Sequence, residues 1–294
     1  MWVDPAIRWS APVATRRGPS RLALAMLGAV VLHAAPLQAQ MGPGLASEET
    51  VRAIMQKTTV QAEGLGAPRG LLVTPAGDMY VAEQGNGTIA RIAADGKITR
   101  IGGFKQPHDI AIDARGNLYV ADTGNQRIAI VTPDRKVSTW VGDLKRPVDI
   151  IFNAAGELLV CEFTANRVTA FASPQKRRVI VSGFKPHGLA IGADGAVYIN
   201  DLTDSRIVRV TADGKTENVA VGMAMPIGIA IGKSGDLYVA QRDAGKVVRI
   251  TRAGKRLTIL DRLKSPRDPV FDAEGNLHVA ETATGRVLKL AGRF

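Results

Sequence analysis

The strongest constraint on this chain is internal repetition. Prolines stand at positions 68, 107, 147, 186, 226 and 266, and turn glycines at 77, 116, 156, 195, 235 and 275. Both series keep the spacings 39, 40, 39, 40 and 40, so the register runs through six units without a gap. A chain of this kind is built from copies of one supersecondary unit, each too small to bury its own apolar surface alone.

The second unit shows the layout. Pro107-His108-Asp109-Ile110-Ala111-Ile112-Asp113 leads through Ala114-Arg115-Gly116-Asn117 into Leu118-Tyr119-Val120-Ala121-Asp122, and two further turns lead into 127–131 and 137–141. Short alternating or continuous apolar runs between turn residues are strands, four to a unit. Four-stranded sheets repeating about every 40 residues stack face to face as the blades of a propeller, so the expected fold is all-β, a six-bladed β-propeller. The last unit stops after its third strand, 286–290. The stretch 57–61 ahead of the first unit aligns with fourth strands such as 97–101. The N-terminal strand is therefore expected to complete blade six and remove the open edge. The propeller occupies 57–294, preceded by a linker or short helix over 40–56.

Residues 1–39 read as a signal peptide. Arg8, Arg16, Arg17 and Arg21 stand against one acid, Asp4, ahead of an apolar run from Leu22 to Ala35. That run is shorter than a membrane span requires, and Leu37-Gln38-Ala39 offers a small residue for cleavage. The Arg16-Arg17 pair suits a twin-arginine signal, but Gly18-Pro19-Ser20 matches the residues expected next poorly. The expectation is a periplasmic or secreted monomer with no stable membrane span after processing. Cleavage would remove four of the 38 basic groups and one of the 27 acids, leaving a net charge of +8. Those charges are spread over many turns without interleaved aromatics, which argues against nucleic acid as a partner. The expected partner is a small-molecule or protein ligand at the channel mouth, with anions favoured. A single cysteine excludes an internal disulfide framework, a four-cysteine zinc site and an iron–sulfur centre.

The repeat resembles that of the NHL propellers, through Pro107-His108-Asp109-Ile110-Ala111-Ile112-Asp113 and Gly116-Asn117-Leu118-Tyr119-Val120-Ala121-Asp122-Thr123-Gly124-Asn125-Gln126-Arg127-Ile128. The resemblance spans roughly 57–294 and implies the fold. It does not select one function, because such propellers include RNA-binding modules, protein scaffolds and lyases.

Two rings of residues are expected around the channel mouth. The first follows the repeat prolines and reads Arg69, His108, Val148, His187, Ile227 and Arg267, followed by Gly70, Asp109, Asp149, Gly188, Gly228 and Asp268. Pro107-His108 and Pro186-His187 resemble two of the Pro-His motifs that hold a catalytic zinc in peptidyl-hydroxyglycine α-amidating lyases. Blade six has Pro266-Arg267-Asp268 where that resemblance requires a third. It implies His108, His187 and Asp268 as ligands of a divalent metal, whether zinc, calcium or magnesium. A second resemblance is to the streptogramin B lyases, which use a metal with His and Glu side chains; here Gln106 and Lys185 precede the two Pro-His pairs. A third, to gluconolactonase-type propellers, lacks the Glu-Gly-Pro-x-Trp start.

The second ring ends the second strands: Glu83, Asp122, Glu162, Asp201, Gln241 and Glu281. Five residues later stand Thr88, Arg127, Arg167, Arg206, Lys246 and Arg286, across a hairpin turn, so most of these acids read as structural pairs. Glu83 faces Thr88 and lacks a local cation, which makes it the candidate base or ligand. Arg69 and Arg267 are the candidates for holding a substrate carboxylate or stabilising developing negative charge. His278 and Cys161 occupy packing positions. Trp140 alone remains outside the signal, which disfavours sugar stacking. Two functions follow: a propeller that binds a ligand or partner at the mouth, or a metal-dependent lyase or hydrolase with its site there.

Overall fold

The computed structural model describes residues 57–292; the expected signal peptide and the 40–56 segment lie outside the described residues. Six four-stranded antiparallel sheets form the blades of a propeller. Blade one is β2 (Pro68–Val73), β3 (Met79–Glu83), β4 (Thr88–Ile92) and β5 (Ile98–Ile101); blade two is β6 (Pro107–Ile112), β7 (Leu118–Asp122), β8 (Arg127–Val131) and β9 (Val137–Val141). Blade three is β10 (Pro147–Phe152), β11 (Leu158–Glu162), β12 (Arg167–Phe171) and β13 (Arg177–Ser182), and blade four is β14 (Pro186–Ile191), β15 (Val197–Asp201), β16 (Arg206–Val210) and β17 (Thr216–Ala220). Blade five is β18 (Pro226–Ile231), β19 (Leu237–Gln241), β20 (Lys246–Ile250) and β21 (Arg256–Leu260). Blade six takes β22 (Pro266–Phe271), β23 (Leu277–Glu281) and β24 (Arg286–Leu290) from one end of the propeller segment and β1 (Thr58–Ala62) from the other.

The closing strand pairs antiparallel with β24, Thr58 opposite Leu290 and Ala62 opposite Val287. The expected closure is present, with the strand at 58–62, one residue later than the expected 57–61.

Two features of the repeat explain its strict period. The turn glycine between the first and second strands has a positive φ in every blade, from 77° at Gly156 to 90° at Gly275, a conformation that costs a side chain energy. Each first strand also breaks register just after its proline, as between Pro107 and Ile110 or Pro186 and Leu189. A bulge of this kind re-aims side chains. It turns the two residues after each proline toward the central channel instead of into a blade face.

Apolar side chains on adjacent blades interlock between the sheets. Ile128 of blade two and Leu158 and Phe171 of blade three are fully buried in one cluster, with Tyr119 edge-on to Trp140 and Phe152. Each such side chain contributes about 1.5–3 kcal/mol by leaving water. The same pattern recurs around the ring.

The second ring of residues is built into the blades. Asp122–Arg127, Glu162–Arg167, Asp201–Arg206 and Glu281–Arg286 form ion pairs at 2.6–2.9 Å, each with an acid that is almost wholly buried. These acids also accept backbone N–H groups from the preceding loop, from Lys105, Lys145, Lys185 and Lys264. Gln241 does the same in blade five, from Ala224. The ring ties each second strand to the loop that enters its blade.

Candidate functional site

The bulges after the prolines deliver the site. Six loops and the turns after the second strands surround a cavity of about 660 Å³, whose lining includes Arg69, Gln84, His108, Phe163, His187 and Arg267. Below it the channel narrows to a void of about 20 Å³ between the first-ring residues and Asp109, Asp149 and Asp268. Both consecutive bulge positions thus reach the axis, at two depths.

His108 and His187 meet across the channel, ring centroids 5.1 Å apart and planes at 66°. Nδ1–H of His187 donates to the Ile227 carbonyl at 2.9 Å, which fixes the ring and leaves Nε2 bare. His187 is therefore oriented by the next blade. The Val148 backbone acts on the His108 ring in the opposite sense to burial. Burial, then the guanidinium charges of Arg267, Arg69 and Arg146, holds His187 down at about 3 although its backbone hydrogen bond opposes this. Burial, the neighbouring His187, Arg69 and Arg267 hold His108 well below 6.5. Both imidazoles are neutral at neutral pH.

The two arginines share the cavity. The Arg69 guanidinium hydrogen bonds to Gln84 Oε1, from Nε at 2.8 Å and also from Nη2. Burial, Arg242 and Arg146 bring its pKa down to about 10. Arg267 is only 7% exposed, its buried Nε has no hydrogen-bond partner, and burial with the charges of Arg69 and Arg242 brings it to about 9. Among the described residues neither is paired with an acid.

Beneath the histidines each aspartate reaches over to the next blade. Asp109 accepts from Ile150 N at 2.9 Å and Asp268 from Leu71 N at 3.1 Å, and the Leu189 backbone acts on Asp149 from the next blade. Burial pushes Asp109 up to about 7. Burial and the neighbouring aspartates push Asp149 and Asp268 well above the carboxylate range. The cross-blade role of these three was missed in the sequence. The available signal was that aspartate and glycine share this one position around the ring. Gly70 is required there, since a Cβ would lie 2.3 Å from Asp109 Oδ1.

The metal set implied by resemblance is only partly assembled. His108 and His187 come together, whereas the Asp268 carboxylate is engaged with Leu71 and held toward its protonated form. Among the described residues no three His, Cys, Asp or Glu side chains are arranged to hold a metal ion. A catalytic zinc takes three protein ligands, and calcium or magnesium takes ionised oxygens. Two imidazoles beside two unpaired guanidinium groups do not fit either requirement.

Glu83 lies away from this chemistry; it faces Thr88 and has no cation in its hairpin, as expected, but it is not the free candidate base that this implied. Arg100 of β5 reaches it from Nε at 2.7 Å and Nη2 at 3.1 Å. Glu83 also accepts from Gly66 N, Asn86 Nδ2 and Thr88 Oγ1. Burial raises its pKa, but the hydrogen bonds from Arg100, Thr88 and Gly66 outweigh it and leave the pKa below 4.5. A fully buried carboxylate with five donors is a structural anchor. Cys161 is fully buried, and burial with Asp149 and Asp109 pushes its thiol up, away from the nucleophilic form. His278 binds Asp272 Oδ2 through Nε2 at 2.9 Å within its blade.

The fold and site together define a six-bladed propeller with a cationic, histidine-paired channel mouth. The chain belongs to the virginiamycin B lyase family, which it matches over residues 53–293. No curated protein matches it. Among solved structures it is similar to a streptogramin B lyase, at 20% identity and TM-score 0.62, over 75% of this chain and 78% of that one. It is also similar to a catalytically inactive virginiamycin B lyase from Staphylococcus aureus with quinupristin, at 19% identity and TM-score 0.63, over 80% and 85%. A gluconolactonase from Xanthomonas campestris aligns at 14% identity and TM-score 0.70, over 79% and 88%. At these identities the structural likeness establishes the fold alone.

Proposed function

We propose that the protein is a lyase-type enzyme whose reaction takes place at the channel mouth between His108 and His187. The observation that carries this reading is the contact of two neutral imidazoles, that of His187 fixed by the Ile227 carbonyl, in a cavity of small-molecule size. Family membership supports lyase chemistry over simple ligand binding.

In such a reaction one imidazole takes a proton from the carbon beside a carbonyl or carboxyl group. The C–H electron pair becomes a new double bond as the bond to the leaving oxygen breaks, and the imidazolium returns the proton to that oxygen. Arg69 and Arg267 stand where they can stabilise the negative charge that develops on the carbonyl oxygen. The donor set supports no step through a metal. Glu83 is not part of the reading.

The test is turnover followed by liquid chromatography and mass spectrometry, with quinupristin and a gluconolactone as first substrates because similar folds process or bind them. Elimination leaves the summed mass of the products equal to that of the substrate, whereas hydrolysis adds water. His108→Ala and His187→Ala should each lower turnover by about 100-fold or more with melting unchanged. Chelator treatment should leave turnover intact. Activity that survives both histidine substitutions would overturn the reading.

A further inference from the structure

We infer that the channel mouth takes an oxyanion, a carboxylate or phosphate group on a small molecule, gripped by Arg69 and Arg267. This deepens the reading of the mouth as the active site and rests on it only for the identity of the cavity.

Arg267 is more than nine-tenths buried and its Nε donor is aimed at nothing in the protein. Arg69 meets only the neutral amide of Gln84. Five buried carboxylates among the described residues show what this propeller does when an ion pair is internal. Glu83, Asp122, Glu162, Asp201 and Glu281 each have an arginine at 2.6–2.9 Å. Arg267, buried, and Arg69, half-buried, stand without an acid partner together in one cavity. An unpaired buried cation is strongly unfavourable, and a planar donor fork matches the two oxygens of a carboxylate or phosphate.

The surroundings agree. Lys145 and Arg146 line the same cavity, Arg146 lying over the Phe163 ring at 4.9 Å. Arg242 also lines it, but its charge is met by Asp243. The carboxyl groups below the cavity, Asp109, Asp149 and Asp268, are held toward their protonated forms, with Asp109 and Asp268 bonded to backbone N–H groups, and none of them pairs with the arginines; Asp243, ion-paired with Arg242, acts on Arg267 only through its charge. An anion seated on the two guanidinium groups also offsets the positive charge that, after burial, lowers both imidazoles. Substrate arrival thereby makes His108 and His187 stronger bases.

Calorimetric titration of the full chain at low ionic strength, with inorganic phosphate in one arm and succinate in the other, tests the inference. Saturable binding of at least one anion is expected, and the arm that binds tighter names the source. Arg69→Met and Arg267→Met should each weaken it about 10-fold or more, with melting temperature held or raised in Arg267→Met because an unpaired buried charge is gone. Arg178→Gln, on the outer strand and paired with Glu157, should bind as the parent does. Heat from neither anion up to about 20 mM, a range that reaches weak small-molecule affinities, would overturn the inference. Equal binding by the parent and both Met variants would do the same. His108→Ala and His187→Ala should keep the anion, so loss of turnover without loss of anion binding separates failure of this inference from failure of the lyase reading.

Discussion

Replacing Arg100 with methionine tests the account of Glu83 at the point where structure and sequence disagree. The substitution removes two charge-assisted hydrogen bonds, at 2.7 and 3.1 Å, from a carboxylate with no exposed surface. Stripping one partner from a fully buried pair costs about 3–5 kcal/mol, whereas an exposed pair is worth about 0–1 kcal/mol. Arg100 is 38% exposed, and Glu83 keeps Gly66, Asn86 and Thr88 as donors. The cost therefore falls between the limits, at about 2 kcal/mol, which for a domain of this size lowers the melting temperature by about 4–8 °C. Calorimetry at neutral pH reads it directly. Adding Glu83→Gln to Arg100→Met should recover about 1 kcal/mol, because the orphaned charge is then gone. The pH dependence has a definite sign. A carboxylate held below 4.5 in the folded state contributes stability that is complete above 4.5 and lost as pH falls through its folded value. Parent and variant should converge in acid. Melting of Arg100→Met within about 1 °C of the parent at pH 7 would refute the anchor, given the expected 2–4 °C per kcal/mol. So would loss of turnover with no loss of stability.

Truncation to residue 63 removes β1 and leaves β24 as an open edge, so the whole propeller should melt about 10 °C lower or more, still in one transition; calorimetry showing an unchanged melt would refute the closure. His187 stays neutral down to about 3, whereas in the unfolded chain it takes a proton near 6.5. The folded state therefore binds fewer protons across that window, and stability falls as pH drops from 6.5 toward 3. His187→Gln should remove on the order of 1–2 kcal/mol of that fall in urea titrations at pH 7 and 4.5, and an unchanged slope would refute the buried neutral imidazole.

The fold was legible because the period is strict: proline bulge, turn glycine and hairpin acid recur in register, and the missing last strand announced β1. The i and i+5 ion pairs of blades two, three, four and six were legible for the same reason. Glu83 was misread because its partner is not in the hairpin. Arg100 sits opposite Ala90 in β5, and the matching positions in blades two and four hold Thr139 and Asn218. In those blades the hairpin arginines Arg127 and Arg206 hydrogen bond outward to Thr139 and Asn218. Blade one has exchanged the roles, hydroxyl in the hairpin and cation on the outer strand. That exchange is visible only when the fourth strands are aligned as well as the second and third. At the mouth, residue types marked the right positions, but depth along the channel decides their chemistry. His108 and Asp109 are adjacent in sequence, yet one lines the cavity and the other is stapled to the next blade.

The pairing of β1 with β24 makes the two ends of the propeller segment neighbours. Thr58 lies opposite Leu290, and Ala291 N reaches the Lys57 carbonyl. The ring consequently has no fixed starting point: a short peptide joining these ends and a new opening at an exposed inter-strand turn, such as 94–96, would rewire the chain without moving a strand. Pulling on the native ends would load the β1–β24 ladder one pair at a time, as a zipper, instead of all four pairs at once. The seam that completes the ring is thus also where tension on the ends first acts.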